Sequence, residues 1–250
     1  MPALRSARPE IVGGGRQTEV VSQIGEPYRE RRARLPGAVL WTRTTDGSAY
    51  RVLPDGCMDL LWIEGELVVA GPDTRAYIGA SEPGTRHAAI RFAPGTAPGL
   101  LGVPAREILD IRVPLAELWS ASRARRLADR VSTAADPALA LEEVAVSLFD
   151  ESPDRLAEQV LNGVRQGVHV PALADSIGLS ERQLHRRCLD AFGYGPKMLA
   201  RVLRMNAALD RARAGLALAE VAIQTGYSDQ AHFTREIKAL TGVPPRVLLA

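Results

Sequence analysis

The chain has 250 residues, 46% of them hydrophobic, and a formal net charge of +2, so it is long enough to bury cores in two domains. No apolar run reaches 18 residues and no uninterrupted apolar segment follows the early basic residues, so we expect neither a membrane-spanning helix nor a secretory signal. We therefore expect a cytoplasmic protein with no membrane partner. Its two cysteines, Cys57 and Cys188, are too few for a disulfide framework or a four-cysteine zinc site.

The N-terminal part of the chain divides into a leader and a β-rich region. Residues 1–25 lack apolar periodicity and contain a run of three glycines, which is typical of a mobile leader. Within residues 26–115, six short β-type runs are separated by Gly, Pro and Asp. They cover residues 38–42, 50–53, 58–63, 67–70, 76–78 and 87–92. Turn sequences at 54–56 and 64–66 predict a three-stranded meander over 50–70, within a small antiparallel barrel or sandwich.

Some side chains of this β-rich region are candidates for contact with a small ligand. They are Trp41, Cys57, Asp59, Trp62 and Phe92. Core packing is the alternative for the three aromatic residues, because large aromatics fill small cores whether or not a cavity exists. For Cys57 the alternatives are a structural thiol and a sensor of oxidants or electrophiles.

A metal centre in the β-rich region is not expected. Cys57, Asp59 and His87 match no compact ligand motif, and the chain has only four histidines. Three of them lie in or beside the C-terminal region, which excludes a three-histidine centre near His87. We therefore expect no metal, no cofactor and no enzyme activity.

Helical spacing returns between residues 104 and 165, where Pro137 and Pro153 interrupt the apolar stripes. The pattern predicts a helical connector over 116–165. Its stripes either pack on the β-rich domain, which we favour, or supply a surface for a homodimer.

A repeated block dominates the C-terminal third. Ala174-Asp-Ser-Ile-Gly178-Leu-Ser180 recurs as Ala222-Ile-Gln-Thr-Gly226-Tyr-Ser228, and each copy precedes a helical stretch and a Gly-x-x-Pro stop. In each copy the alanine permits close helix approach, the glycine suits a left-handed turn, and the serine can cap the next helix. A helix opened by Pro196 and running to residue 214, about 28 Å long, would separate the copies by a distance comparable to one DNA turn of about 34 Å. The repeat predicts two helix-turn-helix units.

Residues 166–250 resemble the C-terminal DNA-binding domain of AraC/XylS-type transcription regulators. The resemblance rests on the paired turns and on three further segments, Arg204-Met-Asn-Ala-Ala-Leu209, Gly226-Tyr-Ser-Asp-Gln-Ala-His-Phe233 and Gly242-Val-Pro-Pro245. It implies that outward residues of the second helix in each unit face DNA. These are Arg182, His185 and Arg186 in the first unit and Gln230, Ala231, Thr234 and Arg235 in the second. Cys188 stands where the family usually has an aromatic residue, which predicts looser packing under the first recognition helix.

The β-rich region gives a second resemblance, carried by Leu53-Pro-Asp-Gly-Cys-Met-Asp-Leu60 and Val69-Ala-Gly-Pro-Asp73. It looks like an actinobacterial variant of the cupin-type barrel that commonly binds a small effector in such regulators. The resemblance implies an α+β chain with a cupin-like β-barrel, a helical connector and an all-α domain at 166–250. Charge agrees: residues 166–250 carry 11 basic and 7 acidic residues, against 20 and 22 in the remainder.

The expected function is sequence-specific transcription regulation of the AraC/XylS type, controlled by a small effector bound in the N-terminal domain. Double-stranded DNA is the expected partner, and RNA polymerase, the effector and a second copy of the chain are further candidates. Two alternatives stay open: a thiol- or electrophile-sensing regulator that uses Cys57, and a cupin-like enzyme fused to a DNA-binding domain.

Overall fold

The computed structural model describes residues 28–148 and 154–250, so the leader predicted for 1–25 lies outside the described residues. The strands of the described part are β1 (Arg29–Arg32), β2 (Val39–Thr44), β3 (Tyr50–Val52), β4 (Met58–Ile63), β5 (Glu66–Ala70), β6 (Tyr77–Gly79), β7 (Arg86–Phe92) and β8 (Arg112–Pro114). The six predicted runs are confirmed to within two residues. Strands β1 and β8 were not predicted.

The strands form two antiparallel sheets. The larger has the order β1-β2-β7-β4-β5-β8, and the smaller pairs β3 with β6. The α+β class is confirmed, but among the described residues the sheets do not close into the expected barrel. Along each strand of the larger sheet, successive side chains point to opposite faces of the sheet.

The predicted three-stranded meander is wrong in its first strand. Strands β4 and β5 form the expected hairpin through Glu64 and Gly65, both with positive φ. Strand β3 instead pairs with β6 and leaves the larger sheet. The residue after β3, Leu53, is buried in a core of the C-terminal helices. This contact with another part of the molecule outweighs the local turn signal at 54–56.

One face of the larger sheet is covered by helices. These are α1 (Ala97–Leu101), a 3-10 helix (Ala105–Ile108), α2 (Leu115–Leu118), α3 (Ala121–Ser132) and α4 (Pro137–Leu148). Apolar side chains of α3 and α4 share one core with those of the sheet. Helix α4 is also tied to the first strand, because the buried Glu142 carboxylate accepts hydrogen bonds from the Arg31 guanidinium and the Arg34 backbone N–H. The prediction that the helical stripes pack on the β-rich domain is therefore confirmed for the helices up to α4, but not for the last stripe, Leu156 to Leu161, which lies in another core.

The remaining helices form two further cores. They are α5 (Arg155–Arg165), α6 (Val170–Ser176), α7 (Glu181–Phe192), α8 (Pro196–Arg213), α9 (Leu218–Gln224), α10 (Gln230–Thr241) and α11 (Pro245–Leu248). Helix α5 shares the first of these cores with α6, α7 and the start of α8. The second core joins the rest of α8 to α9 and α10. Because α5 packs with these helices, we propose that the C-terminal domain begins at α5 rather than at residue 166.

In the part of the chain that the structure describes, no helix has the length and apolar character needed to cross a membrane.

Candidate nucleic-acid interface

The first helix-turn-helix unit consists of α6, a turn at Gly178 and α7. Gly178 has φ 69°, the left-handed conformation that glycine adopts at little cost. Ser180 begins α7 with a capping box: its Oγ accepts from the Gln183 backbone N–H, and Gln183 Oε1 accepts from the Ser180 N–H at 2.9 Å. Leu184 and Cys188 are fully buried beneath the helix. The predicted turn and cap are therefore confirmed.

The three predicted DNA-facing residues of α7 are all exposed. Arg182 and Arg186 lie one helical turn apart on the outer side of the helix. The ring of His185 lies against the backbone of Gly195, where a Cβ would come within 2.4 Å of His185 Cε1. His185 therefore packs on the start of α8 as well as facing outward, which restricts its rotation.

The second unit consists of α9, a turn at Gly226 (φ 78°) and α10. The predicted cap at Ser228 is wrong by one residue. Asp229 is the N-cap, and its Oδ1 accepts from the His232 backbone N–H at 2.6 Å. That hydrogen bond holds the pKa of Asp229 below its usual value. The negative charge of the Asp229 carboxylate also complements the positive end of the helix dipole.

The predicted DNA-facing residues of α10 differ in accessibility. Gln230, Ala231 and Arg235 are exposed, whereas Thr234 is partly buried. The Thr234 hydroxyl donates to the Gln230 carbonyl at 2.8 Å, so it is left as an acceptor toward a ligand. The outer side of α10 thus offers one amide, one methyl group and one guanidinium.

Helix α8 joins the two units and belongs to both cores. Its first half packs with α5–α7 and its second half with α9 and α10. Eighteen residues at about 1.5 Å each make a rod of about 27 Å. Two arginines of α8 also hold α10, because Arg201 Nε donates to Glu236 at 2.9 Å and Arg204 lies 4.0 Å from the same carboxylate. The hydrogen bond from Arg201 keeps the pKa of Glu236 low.

The predicted ligand-binding residues lie on opposite faces of the larger sheet. Trp62 and Phe92 pack on the helix-covered face, where the Trp62 indole N–H donates to Ser132. Trp41 is buried on the other face, in a separate apolar cluster. Asp59 is also fully buried, and alternation along β4 places its side chain on the face that Trp41 shares, not on the face of Trp62. Only Trp41 and Asp59, with Cys57 in the turn before β4, can contribute to one site on that second face.

Sequence reasoning missed Arg91, the partner of Asp59. Arg91 is 5% exposed, and its Nε lies 3.4 Å from Asp59 and 3.3 Å from Asp55. Burial opposes its charge, but the two carboxylates more than compensate and raise the pKa of Arg91. A charged residue inside the apolar run 87–92 was the available signal. Asp59, Arg91 and the buried indole N–H of Trp41 retain polar atoms without hydrogen-bond partners in the described structure.

A small cavity of about 110 Å³ lies beside Trp62, between β2, β7 and the start of α4. Its lining includes the guanidinium-bearing residues Arg29, Arg43 and Arg86. Cavities that hold drug-sized ligands are typically about 300–1,000 Å³, so this one is too small for such a molecule. Among residues 28–148 and 154–250, no three His, Cys, Asp or Glu side chains are gathered as a metal site would require.

Two family models match the chain, each over about a third of its length. One describes a helix-turn-helix domain and matches residues 173–250. Residues 173–250 are an AraC-type helix-turn-helix domain. This confirms the predicted helix-turn-helix domain at the C-terminus. The other model, a domain of unknown function, matches residues 38–114, the β-rich region that contacts the AraC-type domain.

Solved structures of ToxT from Vibrio cholerae have weak similarity to the whole chain. An apo ToxT variant is 12% identical with a TM-score of 0.47, covering 87% of this chain and 98% of ToxT. Wild-type ToxT bound to an unsaturated fatty acid is 11% identical with a TM-score of 0.46, covering 92% and 97%. ToxT bound to a naphthalenyl butenoic acid is 10% identical with a TM-score of 0.48, covering 89% and 98%. No curated protein sequence matches this chain.

The AraC-type domain is joined to the β-rich region by a contact that the sequence did not reveal. Leu53, just after β3, is 7% exposed and packs in the core that contains Met205 and Leu209. Beside it, the Pro54 carbonyl accepts a hydrogen bond from the Asn206 side chain at 2.9 Å. The turn that follows β3 is therefore anchored to the linker helix of the AraC-type domain.

Proposed function

We propose that this protein is a sequence-specific transcription regulator that works in the cytoplasm, reads DNA with α7 and α10, and responds to a small effector in its N-terminal domain. The observation that carries the DNA part is the accessibility of the outer face of both second helices while their inner faces are buried. The linker α8 supports it, because a rod of about 27 Å suits readers in successive major grooves about 34 Å apart.

The side chains suggest how each helix reads its half-site. In the first unit, Arg182 and Arg186 can make paired hydrogen bonds to guanine or contact phosphates, with His185 held beside them. In the second unit, Gln230 suits adenine, and Ala231 can contact a thymine methyl group. We assign Arg235 to base reading and Thr234 to a supporting polar contact.

The DNA-binding proposal is tested by recovering bound sites across the host genome and titrating the recovered duplex at fixed salt. We expect a discrete site with two half-sites about one DNA turn apart. Arg235→Ala should weaken binding to that site by about 1–3 kcal/mol, with little effect on unrelated duplexes. Arg125→Ala, at an exposed position of α3, is the matched control. Equal affinity for every duplex would contradict the proposal.

The effector proposal is supported by the polar group buried on the face of the larger sheet that lies opposite helices α1–α4. Asp59, Arg91 and Trp41 keep unused donors and acceptors in a buried setting, where an unpaired polar atom is costly. A small polar molecule that pairs with them would stabilise the domain. Genes beside the recovered site indicate which compounds to test, and a true effector should raise the melting temperature of the wild type but not of Asp59→Asn. RNA polymerase and a second copy of the chain remain proposed partners of the regulator.

Thiol sensing is the second candidate, favoured by the unequal exposure of the two cysteines. Cys57 is partly exposed, whereas Cys188 is buried, and burial raises the pKa of the Cys188 thiol to about 12. An oxidant that acts through this protein should therefore modify Cys57 and leave Cys188 intact. Mass spectrometry after mild oxidation, paired with DNA titration, decides: an unmodified Cys57 with unchanged affinity rejects this candidate.

A further inference from the structure

Both recognition helices end against the N-terminal domain. Helix α7 stops at Gly193 (φ 82°) and α10 stops at Gly242 (φ 79°), both left-handed. A Cβ on Gly193 would lie 2.6 Å from Pro72 Cγ, and one on Gly242 would lie 3.4 Å from Arg51 Nη1. The two ends that point away from the predicted DNA-facing residues are thus both covered by the β-rich region.

The end of α10 receives more than packing. The last four carbonyls of a helix have no partner within the helix. In α10, the Leu240 carbonyl accepts from the Ala76 backbone N–H at 2.7 Å, and the Thr241 carbonyl accepts from Arg51 Nη1 at 2.5 Å. Both donors lie more than 160 residues earlier in the chain. The guanidinium charge of Arg51 also complements the negative end of the helix dipole.

The end of α7 is held differently. Pro72 and Leu109 pack against Gly193, and Arg106 forms an ion pair with Asp190 near the end of the helix. Both members of that pair are more than a third exposed, so its contribution is small. The two reading helices therefore differ: the end of α10 is held by hydrogen bonds to its carbonyls, and the end of α7 by packing and an exposed ion pair.

We propose that Arg51, together with the Ala76 N–H, positions the second recognition helix, α10, for binding to DNA. The N-terminal domain thereby supplies contacts that the second helix-turn-helix unit needs to bind its half-site. The proposal rests on the proposed DNA-binding function. The cap lies at the end of α10 opposite Gln230, so the contact with the N-terminal domain leaves the predicted DNA-facing residues of α10 accessible. Arg51 acts through α10 and does not itself contact DNA.

The route from the buried polar group to this cap is short. Arg51 lies on β3, and the chain continues through Leu53 in the second core to Asp55, which pairs with Arg91. Only three residues therefore lie between Arg51, which caps α10, and Asp55, whose carboxylate lies beside the proposed effector group. A ligand that moves Asp55 would act on the second half-site more than on the first.

The test measures the affinity of full-length protein variants for the operator and for duplexes in which one half-site is altered, so that each loss can be assigned to one half-site. Arg51→Met removes the donor, and exposed Arg125→Met on α3 is the matched control. Each is titrated at fixed salt against the recovered operator and two versions with one half-site scrambled. Arg182→Ala and Arg235→Ala assign each half-site to its helix. If the wild type binds the operator and both scrambled duplexes equally, and Arg182→Ala and Arg235→Ala change nothing, the proposed DNA-binding function itself is contradicted.

With Arg51→Met, we expect about fivefold weaker binding to the intact operator, which corresponds to about 1 kcal/mol for one hydrogen bond. The same loss should persist with the first half-site scrambled and vanish with the second scrambled. A loss of equal size on all three duplexes, or no loss, overturns the proposal. Arg51→Lys, which keeps the charge and a donor, should show a smaller loss with the same half-site pattern. If Arg51→Met fails to fold, a uniform loss in Arg51→Lys overturns the proposal instead.

Discussion

Arg91 and Asp59 form a buried ion pair, and we expect removal of either partner alone to lower the unfolding free energy of the N-terminal domain. Asp59 is fully buried, and no hydrogen bond from the described residues reaches either of its carboxylate oxygens. Arg91 Nε, 3.4 Å away, is its compensating charge. Arg91→Met keeps most of the side-chain volume and leaves the buried Asp59 carboxyl without the guanidinium beside it. Removal of one partner from a buried pair costs about 3–5 kcal/mol, and we expect a loss of unfolding free energy in that range at pH 7.

Neutralising both partners should restore much of that loss. Asp59→Asn alone should cost less than Arg91→Met, because Asp55 still lies 3.3 Å from Arg91. The double variant removes both buried charges, and replacement of a whole buried pair is often close to neutral. We therefore expect the double variant to be more stable than Arg91→Met by about 2 kcal/mol.

Urea unfolding followed by tryptophan fluorescence measures this directly. All three tryptophans, Trp41, Trp62 and Trp119, precede the AraC-type domain, so the signal reports on the N-terminal domain. Arg86→Met is the matched control, because Arg86 lies on the same strand but is exposed. Equal losses in Arg86→Met and Arg91→Met, or a double variant that shows the sum of the two single losses, would refute this reasoning.

Three further predictions concern single groups. Burial lowers the pKa of His87 to about 4. The folded state therefore binds fewer protons than the unfolded one between pH 6.5 and 4, and stability should fall by up to about 3 kcal/mol across that window; His87→Gln should flatten the profile in urea unfolding. Ser180→Ala removes the α7 cap and should cost about 1 kcal/mol in unfolding followed by circular dichroism, while Ser180→Asp should not. Gly71→Ala would place a Cβ 1.6 Å from the Ile108 carbonyl oxygen, so we expect a loss of about 3 kcal/mol; a wild-type urea midpoint would contradict the close approach of the two backbones.

The elements that the sequence predicted are those with local signals. Alternating apolar residues bounded by turn residues marked six strands, and the Ala-x-x-x-Gly-x-Ser blocks marked both helix-turn-helix turns. Strand β1 has the sequence RERR with all four residues exposed, so it has no apolar alternation to detect. Among the residues that the structure describes, β1 lies at the edge of the larger sheet, where charged side chains disfavour pairing with another chain. Its position depends on β2 and on the Glu142 contact from α4.

The candidate ligand residues illustrate a different limit. Asp59 and Trp62 are three positions apart on one strand, so alternation alone separates them to opposite faces. Trp41 could not be assigned to a face in this way, because it lies on another strand and the register between β2, β7 and β4 decides its neighbours. Arg91 is brought beside Asp59 by that same register, in which the two residues are directly opposed. Sequence patterns identified one member of the buried pair, and strand pairing supplied the other.

The helix ends show why the connection between the domains could not be predicted. A glycine at the end of each recognition helix is a local stop signal, and both stops are confirmed at Gly193 and Gly242. A local signal says that a helix ends but not which group satisfies its last carbonyls. In α10 those groups come from β3 and from the residue just before β6, and these two strands lie outside the larger sheet and reach the AraC-type domain. The departure of β3 from the expected meander and the cap on α10 therefore have one cause: the smaller sheet packs on the second helix-turn-helix unit.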